Sequence, residues 1–410
     1  MEQTKLWTKN FLLGTGINFL LVLNYYLLMV IMTEYSTVQY HASSSAAGLS
    51  SSMFAIGALL ARFVSAPLMA KTGRKKMLLS GAVLEVAASL LYFCAADIYI
   101  MFCIRLFHGL SYGIASTAVS TIVTGNVPEK RHGEGIGYFM LSVTVGAAIG
   151  PFFGMFLIGH GGYPCIFGIC AATAVLCCAG SALLPSPEEE TEKRTLVSNQ
   201  EQKAVRVERT ESTAERPHGL ERIFEKRAVP ISIVCAGIYF CYSGILSFLT
   251  PYAEQTHLQT AASFFFIVYS AVILLTRPFT GRFFDRKGER FIMLPAFVSF
   301  FIGMLLLSRT HGSILLLVSA AFVGFGIGAI QSCGLALAVK NSPEERVGYV
   351  NSTFYIFVDL ATGLGPFLLG FLIPAARYRG LYLILAGVTV LFGILYLAVS
   401  GKSRRRTERE

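Results

Sequence analysis

Long apolar runs broken by short charged stretches dominate the chain. Phe11 to Thr33 contains no Asp, Glu, Lys or Arg, and neither does Gly135 to Pro187. A helix needs about 20 mostly apolar residues to cross the hydrocarbon core of a bilayer. The first run is therefore long enough to cross once and the second long enough to cross twice. Followed along the chain, the pattern predicts helical spans at 11–32, 45–70, 77–96, 98–124, 135–158, 162–184, 229–250, 262–281, 291–308, 312–339, 347–371 and 377–400. The expected fold class is an all-α polytopic membrane protein of twelve transmembrane helices in two six-helix bundles. The first span is too long for a secretory signal and lacks a small-residue cleavage site before the next span.

Residues 185–228 break the pattern. They hold ten Glu and nine Lys or Arg. Such a segment cannot build an apolar core, so it reads as a charged cytoplasmic linker. It divides the chain into an N-terminal bundle over 1–184 and a C-terminal bundle over 229–401, with a basic cytoplasmic tail at 402–410.

Composition narrows the class further. Only 14% of residues are charged and 54% are hydrophobic, against about 25% charged in soluble domains. The formal net charge of +10 does not indicate a nucleic-acid binder, because the basic residues lie between apolar spans instead of covering one soluble face. Their placement does set an orientation. With both termini inside, the external loops carry only Arg309, Arg377 and Arg379, while the internal segments carry Lys71, Arg74, Lys75, Lys76, Arg282, Arg286, Lys287, Arg290 and many more. That bias follows the positive-inside rule, and an inner (cell) membrane location is expected. The nine cysteines lie in or beside apolar spans without metal-ligand or Cys-x-x-Cys spacing, and read as small buried residues. No metal or cofactor is expected.

The two halves repeat at a constant shift of 215 residues. Arg62 falls on Arg277, Gly73 on Gly288, Gly109 on Gly324, Gly113 on Gly328, Gly150 on Gly365 and Pro151 on Pro366. Parallel repeats about an axis along the membrane normal are one way in which transporter halves are related.

Three motifs sharpen the picture. The loop after the second span of the second half reads Arg277-Pro-Phe-Thr-Gly281-Arg-Phe-Phe-Asp285-Arg286-Lys-Gly288-Glu-Arg290. The first-half counterpart keeps Arg62, Gly73 and Arg74 but has Ala66 and Ala70 in place of the glycine and aspartate. A carboxylate there can cap a helix N-terminus and pair with arginine, forming a latch that breaks on rocking; a merely topogenic basic loop is the alternative. Span five carries Gly146-Ala-Ala-Ile-Gly150-Pro151-Phe-Phe-Gly154. Its small residues make a flat face and its proline frees a carbonyl, so a pliable seam between the halves is expected. Span four carries Arg105-Leu-Phe-His108-Gly109, an arginine roughly 10 Å inside the span at 1.5 Å per residue. With these motifs the chain, apart from linker and tails, resembles the major facilitator superfamily, and within it the twelve-span drug:proton antiporters. That resemblance implies gating by the basic loops, an antiporter role for the span-five motif, and proton transfer near Arg105 and His108.

Acids inside spans are costly and tend to be functional. Asp359 lies near mid-membrane in span eleven, Glu85 is central in span three, and Glu34 ends span one. Asp359 is the first candidate for proton coupling, with Glu85, Glu34 and His108 behind it. Glu34 is also expected to pair with Arg105. Tyr25, Tyr26, Tyr239, Tyr242 and Tyr355 either line an apolar cavity or pack helices.

The reading is a secondary transporter that exports a small organic molecule by alternating access, driven by protons. Its expected partners are that substrate, protons and the lipid bilayer, with no nucleic acid, and the expected state is a monomer. An importer or uniporter of the same fold is the alternative. A membrane enzyme or sensor is disfavoured, since no His-Glu-x-x-His, nucleophile elbow or P-loop occurs. In a cysteine-free background, cysteines placed at Ser198 and Arg377 should label from opposite faces of intact cells. Labelling of both from outside would overturn the termini-inside arrangement.

Overall fold

The computed structural model describes residues 6–128, 132–185, 225–340, 342 and 347–407; at some helix positions, including Ala66, Ala70, Gly281 and Asp285, only the backbone is described. Among these residues the regular structure is helical. A peptide group in lipid has no water partner, so each crossing segment must close its own hydrogen bonds.

The helices are α1 (Lys9–Tyr40), α2 (Ser44–Thr72), α3 (Arg74–Leu91), α4 (Ile98–Gly125), α5 (132–161), α6 (163–183), α7 (Val229–Gln255), α8 (Gln259–Lys287), α9 (Glu289–Ser308), α10 (Ser313–Lys340), α11 (Val347–Gly370) and α12 (Ile373–Thr407). Helix α12 runs on to Thr407, past the expected end of its span near residue 400. Side-chain caps mark several starts. Thr8 accepts from the Phe11 amide, Ser43 from Ala46, and Asp97 from both Tyr99 and Ile100, each satisfying an amide the helix leaves open.

The 215-residue repeat reappears in the backbone. Gly73 (φ 83°) and Gly288 (φ 83°) make the sharp α2–α3 and α8–α9 turns. No neighbour crowds either glycine, so the left-handed dihedral, and not space, calls for glycine there. Gly162 (φ 68°, ψ −179°) separates α5 from α6, and Arg377 (φ 56°, ψ 175°) interrupts the start of α12. Both pairs stand 215 apart.

Each half packs in the same way. Helix α1 lies on α5 and α7 on α11; α2 lies on α4 and α8 on α10; α3 lies on α4 and α9 on α10. Between halves, α2 meets α11, α5 meets α8, and α1 meets α7. These meetings concentrate at the end of the bundle opposite the termini, called here the far end. There Thr250 Oγ1 donates to the Val30 carbonyl at 2.7 Å, and the Phe367 amide donates to Ser52 Oγ at 3.1 Å. Phe152 and Phe264 bring their rings to 5.3 Å, tilted at 55°. One apolar core runs from α1 residues 27–35 through α7 into the second half. Toward the termini the first half keeps a separate core of its own, built on residues such as Phe11, Leu21, Met77 and Val123. The halves are therefore joined at the far end and apart at the other.

The span-five glycines correct one expectation. A side-chain carbon at Gly150 would lie 2.9 Å from the Leu23 carbonyl, and one at Gly154 would lie 2.8 Å from the Leu27 carbonyl. Gly146 faces Val22. This seam joins α5 to α1 inside the first half, not one half to the other, because the small face of α5 points back at its own bundle. The inter-half seam instead uses small residues of α2 and α11. Gly48 sits against the Pro366 carbonyl, and Gly370 against Ser44 and Ser45. A Gly48→Val substitution would overlap Pro366, and overpacking of this kind costs about 1–3 kcal/mol. It should loosen the far end and raise labelling of a cysteine at Ser52 from that side. Unchanged labelling with a correctly folded variant would show that this contact does not hold the far end shut.

Candidate functional site

Between the halves lies a cavity of about 450 Å³, lined by α1, α2, α4 and α5 of the first half and α7, α8, α10 and α11 of the second. The far-end contacts close it above, and it opens toward the termini. Its wall is aromatic. Tyr25, Tyr26 and Tyr112 come from the first half, and Tyr239, Tyr242, Tyr269 and Tyr355 from the second. Tyr25 stacks on Tyr112 at 5.5 Å, and Tyr242 on Tyr269 at 5.5 Å. The five tyrosines singled out from the sequence all reach this cavity. Tyr112 and Tyr269 were missed; Tyr269 stands 215 residues after Phe54, another lining ring, so the repeat carried a signal for it.

Three charged residues line the cavity among those described: Arg62, Arg277 and Asp359. Arg62 Nη1 lies 3.2 Å from Asp359 Oδ2, with side chains 38% and 28% exposed. The pair crosses from α2 to α11 and so joins the halves through the cavity. Both side chains are partly exposed to the cavity, while the paired Oδ2 is itself covered. Arg62 and Arg277, which open the two loop motifs, lie well inside α2 and α8, on the cavity wall, each ten residues before its helix ends.

The loops themselves are as follows. Gly73 and Gly288 make the turns described above. Arg74 opens α3, and its guanidinium lies against Gly125 at the C-terminal end of α4, where a cation is favoured by the helix dipole. Arg286 ends α8 and is exposed. Arg290 Nε donates to Ser400 Oγ at 2.9 Å, tying α9 to α12. The side chains of Gly281 and Asp285, on which the latch expectation rests, lie outside the described set.

Arg105, His108 and Glu85 come together, away from the cavity. Ser111 Oγ donates to Glu85 Oε2 at 2.6 Å, and Glu85 Oε1 lies 2.8 Å from His108 Nε2. His108 Nδ1 lies 2.8 Å from the Tyr92 hydroxyl, which accepts from Arg105 Nη1 at 3.2 Å. Arg105 Nε donates to the Ser50 carbonyl at 3.0 Å, and the guanidinium lies 4.7 Å from the Phe54 ring centroid. Glu85, Tyr92, Arg105, His108 and Ser111 are all buried. A neutral imidazole with its proton on Nε2 satisfies every link: it donates to Glu85 and accepts from Tyr92. The network thus relays one carboxylate to one guanidinium, ties α2, α3 and α4 together, and supports the cavity ring Phe54 from behind.

The expected Glu34–Arg105 pair does not form. The Arg105 guanidinium turns toward α2 and Tyr92, whereas the Glu34 carboxyl sits at the far end beside Glu254 and Tyr163. Glu34 in α1 and Glu254 in α7 are thus neighbours at that end.

The cavity thus lies between two repeated bundles, is closed at one end and is bridged by an ion pair. The chain belongs to the Major Facilitator Superfamily: the family model matches residues 15–307 and 257–410. It is similar to an uncharacterized MFS-type transporter of Methanocaldococcus jannaschii, at 23% identity over 86% of this chain and 88% of that protein. It is also similar to the multidrug resistance protein MdtG of Klebsiella pneumoniae, at 24% identity over 80% of this chain and 77% of that one. The crystal structure of the peptide transporter POT in complex with sulfate shares the fold, with a TM-score of 0.76 at 15% identity, covering 97% of this chain and 95% of that one. The protein is a multi-pass membrane transporter and not an enzyme.

The buried network makes a prediction of its own. Removing one partner of a buried charge pair costs about 3–5 kcal/mol, because the other charge is left uncompensated. Glu85→Ala should therefore lower the unfolding temperature in detergent sharply, whereas Asp359→Ala, at a wet pair, should leave it nearly unchanged. Equal effects would contradict the assignment of the first pair to the dry interior and the second to the cavity.

Proposed function

We propose that this transporter exports a small organic molecule in exchange for protons, with both termini in the cytoplasm and the cavity open to that side. The observation that carries the reading is the Arg62–Asp359 pair bridging the halves inside the cavity. A carboxylate at this place can alternate between an arginine partner and a proton. The span-five Gly-Pro motif and the multidrug resistance relatives support export. The charge bias of the loops supports the orientation.

In this cycle substrate enters the cavity from the cytoplasm while Asp359 is ionised and paired. The halves rock, the far end opens, and a proton from the more acidic exterior reaches Asp359. The neutral carboxyl releases Arg62, substrate leaves, and the proton is discharged inside on return. One charge moving across the membrane supplies about 2.3 kcal/mol per 100 mV. Arg105, His108 and Glu85 are positioned to stiffen the first half during rocking, and Glu34 with Glu254 to meet the external solution when the far end opens.

A second reading, uptake with protons, is favoured by one observation. Arg62 and Arg277 outnumber Asp359 on the described wall. If the substrate is an anion, protonating Asp359 helps it bind, and proton and substrate move together. The direction of proton flux on adding substrate to proteoliposomes separates the two.

Asp359→Asn imitates the protonated carboxyl permanently. The variant should fold, insert and exchange substrate across the membrane without net proton movement, but lose uphill transport driven by a pH gradient. Uphill transport at the parent rate would remove Asp359 from the coupling mechanism.

A further inference from the structure

We propose that the cavity selects organic anions: an aromatic acid whose anionic group sits on Arg277 and whose ring body lies among the tyrosines. The inference rests on the transporter reading; because an anion binds better when Asp359 is neutral, it favours the second reading, uptake with protons, over exchange.

The charges come first. Arg62 and Arg277 occupy repeat-related positions on α2 and α8, one in each half. Arg62 is engaged by Asp359. Arg277 has no ion-pair partner among the described residues. With Asp359 ionised the three groups sum to one positive charge, and that charge is the guanidinium of Arg277. A planar guanidinium presents paired N–H donors that match a carboxylate or phosphate edge.

A second observation lies on the same helix face. Ser270 stands seven residues before Arg277, two turns away, and lines the cavity with Ile273 between them. Ser270 is 1% exposed. A buried helical serine ordinarily bonds the carbonyl one turn back. The Ser270 hydroxyl has no hydrogen-bond partner among the described residues. Buried polar groups without partners are uncommon, so the Ser270 hydroxyl, on the cavity wall but with its oxygen covered, is a candidate partner for a polar group of the ligand. Seven residues along a helix are roughly 10 Å. The site therefore fits a molecule with its acid at Arg277 and a second polar group near Ser270.

The tyrosine wall supplies the space between. Aromatic faces by themselves also attract cations, so the rings do not decide the sign of the ligand. The guanidiniums do: an ammonium in this cavity would face two arginines and find its only described carboxylate already paired. Asp359 then acts as a modulator. Neutralising it removes the negative charge beside the ligand and frees Arg62 as a second donor.

Equilibrium binding of a matched set of probes to the purified full-length protein tests this. The set is 2-naphthoate, the neutral 2-naphthamide and the cationic 2-naphthylmethylamine. Naphthoate should bind on the order of tenfold more tightly than the cation, a difference of about 1.4 kcal/mol. Arg277→Gln should remove that advantage and leave naphthamide binding unchanged. Arg277→Lys should restore part of it, which separates loss of charge from misfolding. Asp359→Asn should bind naphthoate more tightly than the parent. Tighter binding of the cation, equal naphthoate binding by parent and Arg277→Gln, or no naphthoate binding at millimolar concentration would each overturn the proposal. These readings need no gradient. A failure here leaves proton-coupled transport standing, and a failure of the Asp359→Asn transport test leaves the charge selectivity standing.

Discussion

A peptide group inside a bilayer has no water to bond, and everything else in this protein follows from that constraint. Each crossing segment must be a closed helix, so polar chemistry enters only through side chains and through the few places where helices break. Among those places are Gly73, Gly162, Gly288 and Arg377, two repeat-related pairs at the turns between spans. Helices fixed in this way behave as rods. Two sets of rods joined at one end leave a gap at the other, and that gap is the cavity.

The two buried ion systems of the chain show how depth decides role. Glu85, His108, Tyr92 and Arg105 form a dry chain in which each link is satisfied. Breaking it leaves a charge with no solvent to turn to, so it fixes α2, α3 and α4 against each other. The Arg62–Asp359 pair differs in being only partly buried: both side chains are partly exposed to the cavity, although the paired Oδ2 is covered. Similar residue types thus sit in a dry interior in one place and on a cavity wall in the other.

Small residues do comparable double duty. In α5 they let α1 approach closely within the first half, while in α2 and α11 they let the halves meet at the far end. The first contact lies within one half and the second between the halves. Both look alike as glycine spacing, and only the identity of the opposing helix separates them.

The twelve spans and the 215-residue repeat were legible because each rests on chain-local physics, apolar length and periodicity; the linker expected at 185–228 lies almost wholly outside the described residues. Asp359 stood out for the same reason, as a carboxylate near mid-membrane. Tertiary structure decided the partnerships. Asp359 is 297 positions from Arg62 in the chain, and nothing local in either helix shows that they face each other across a cavity. The expected pairing of Glu34 with Arg105 failed because helix adjacency does not set the direction in which a long side chain turns. The span-five seam was assigned to the wrong neighbour because a glycine face records that something approaches closely, not what. Sequence sets which segments become helices and what each could offer; the meeting of faces from distant helices settles which offers are taken up.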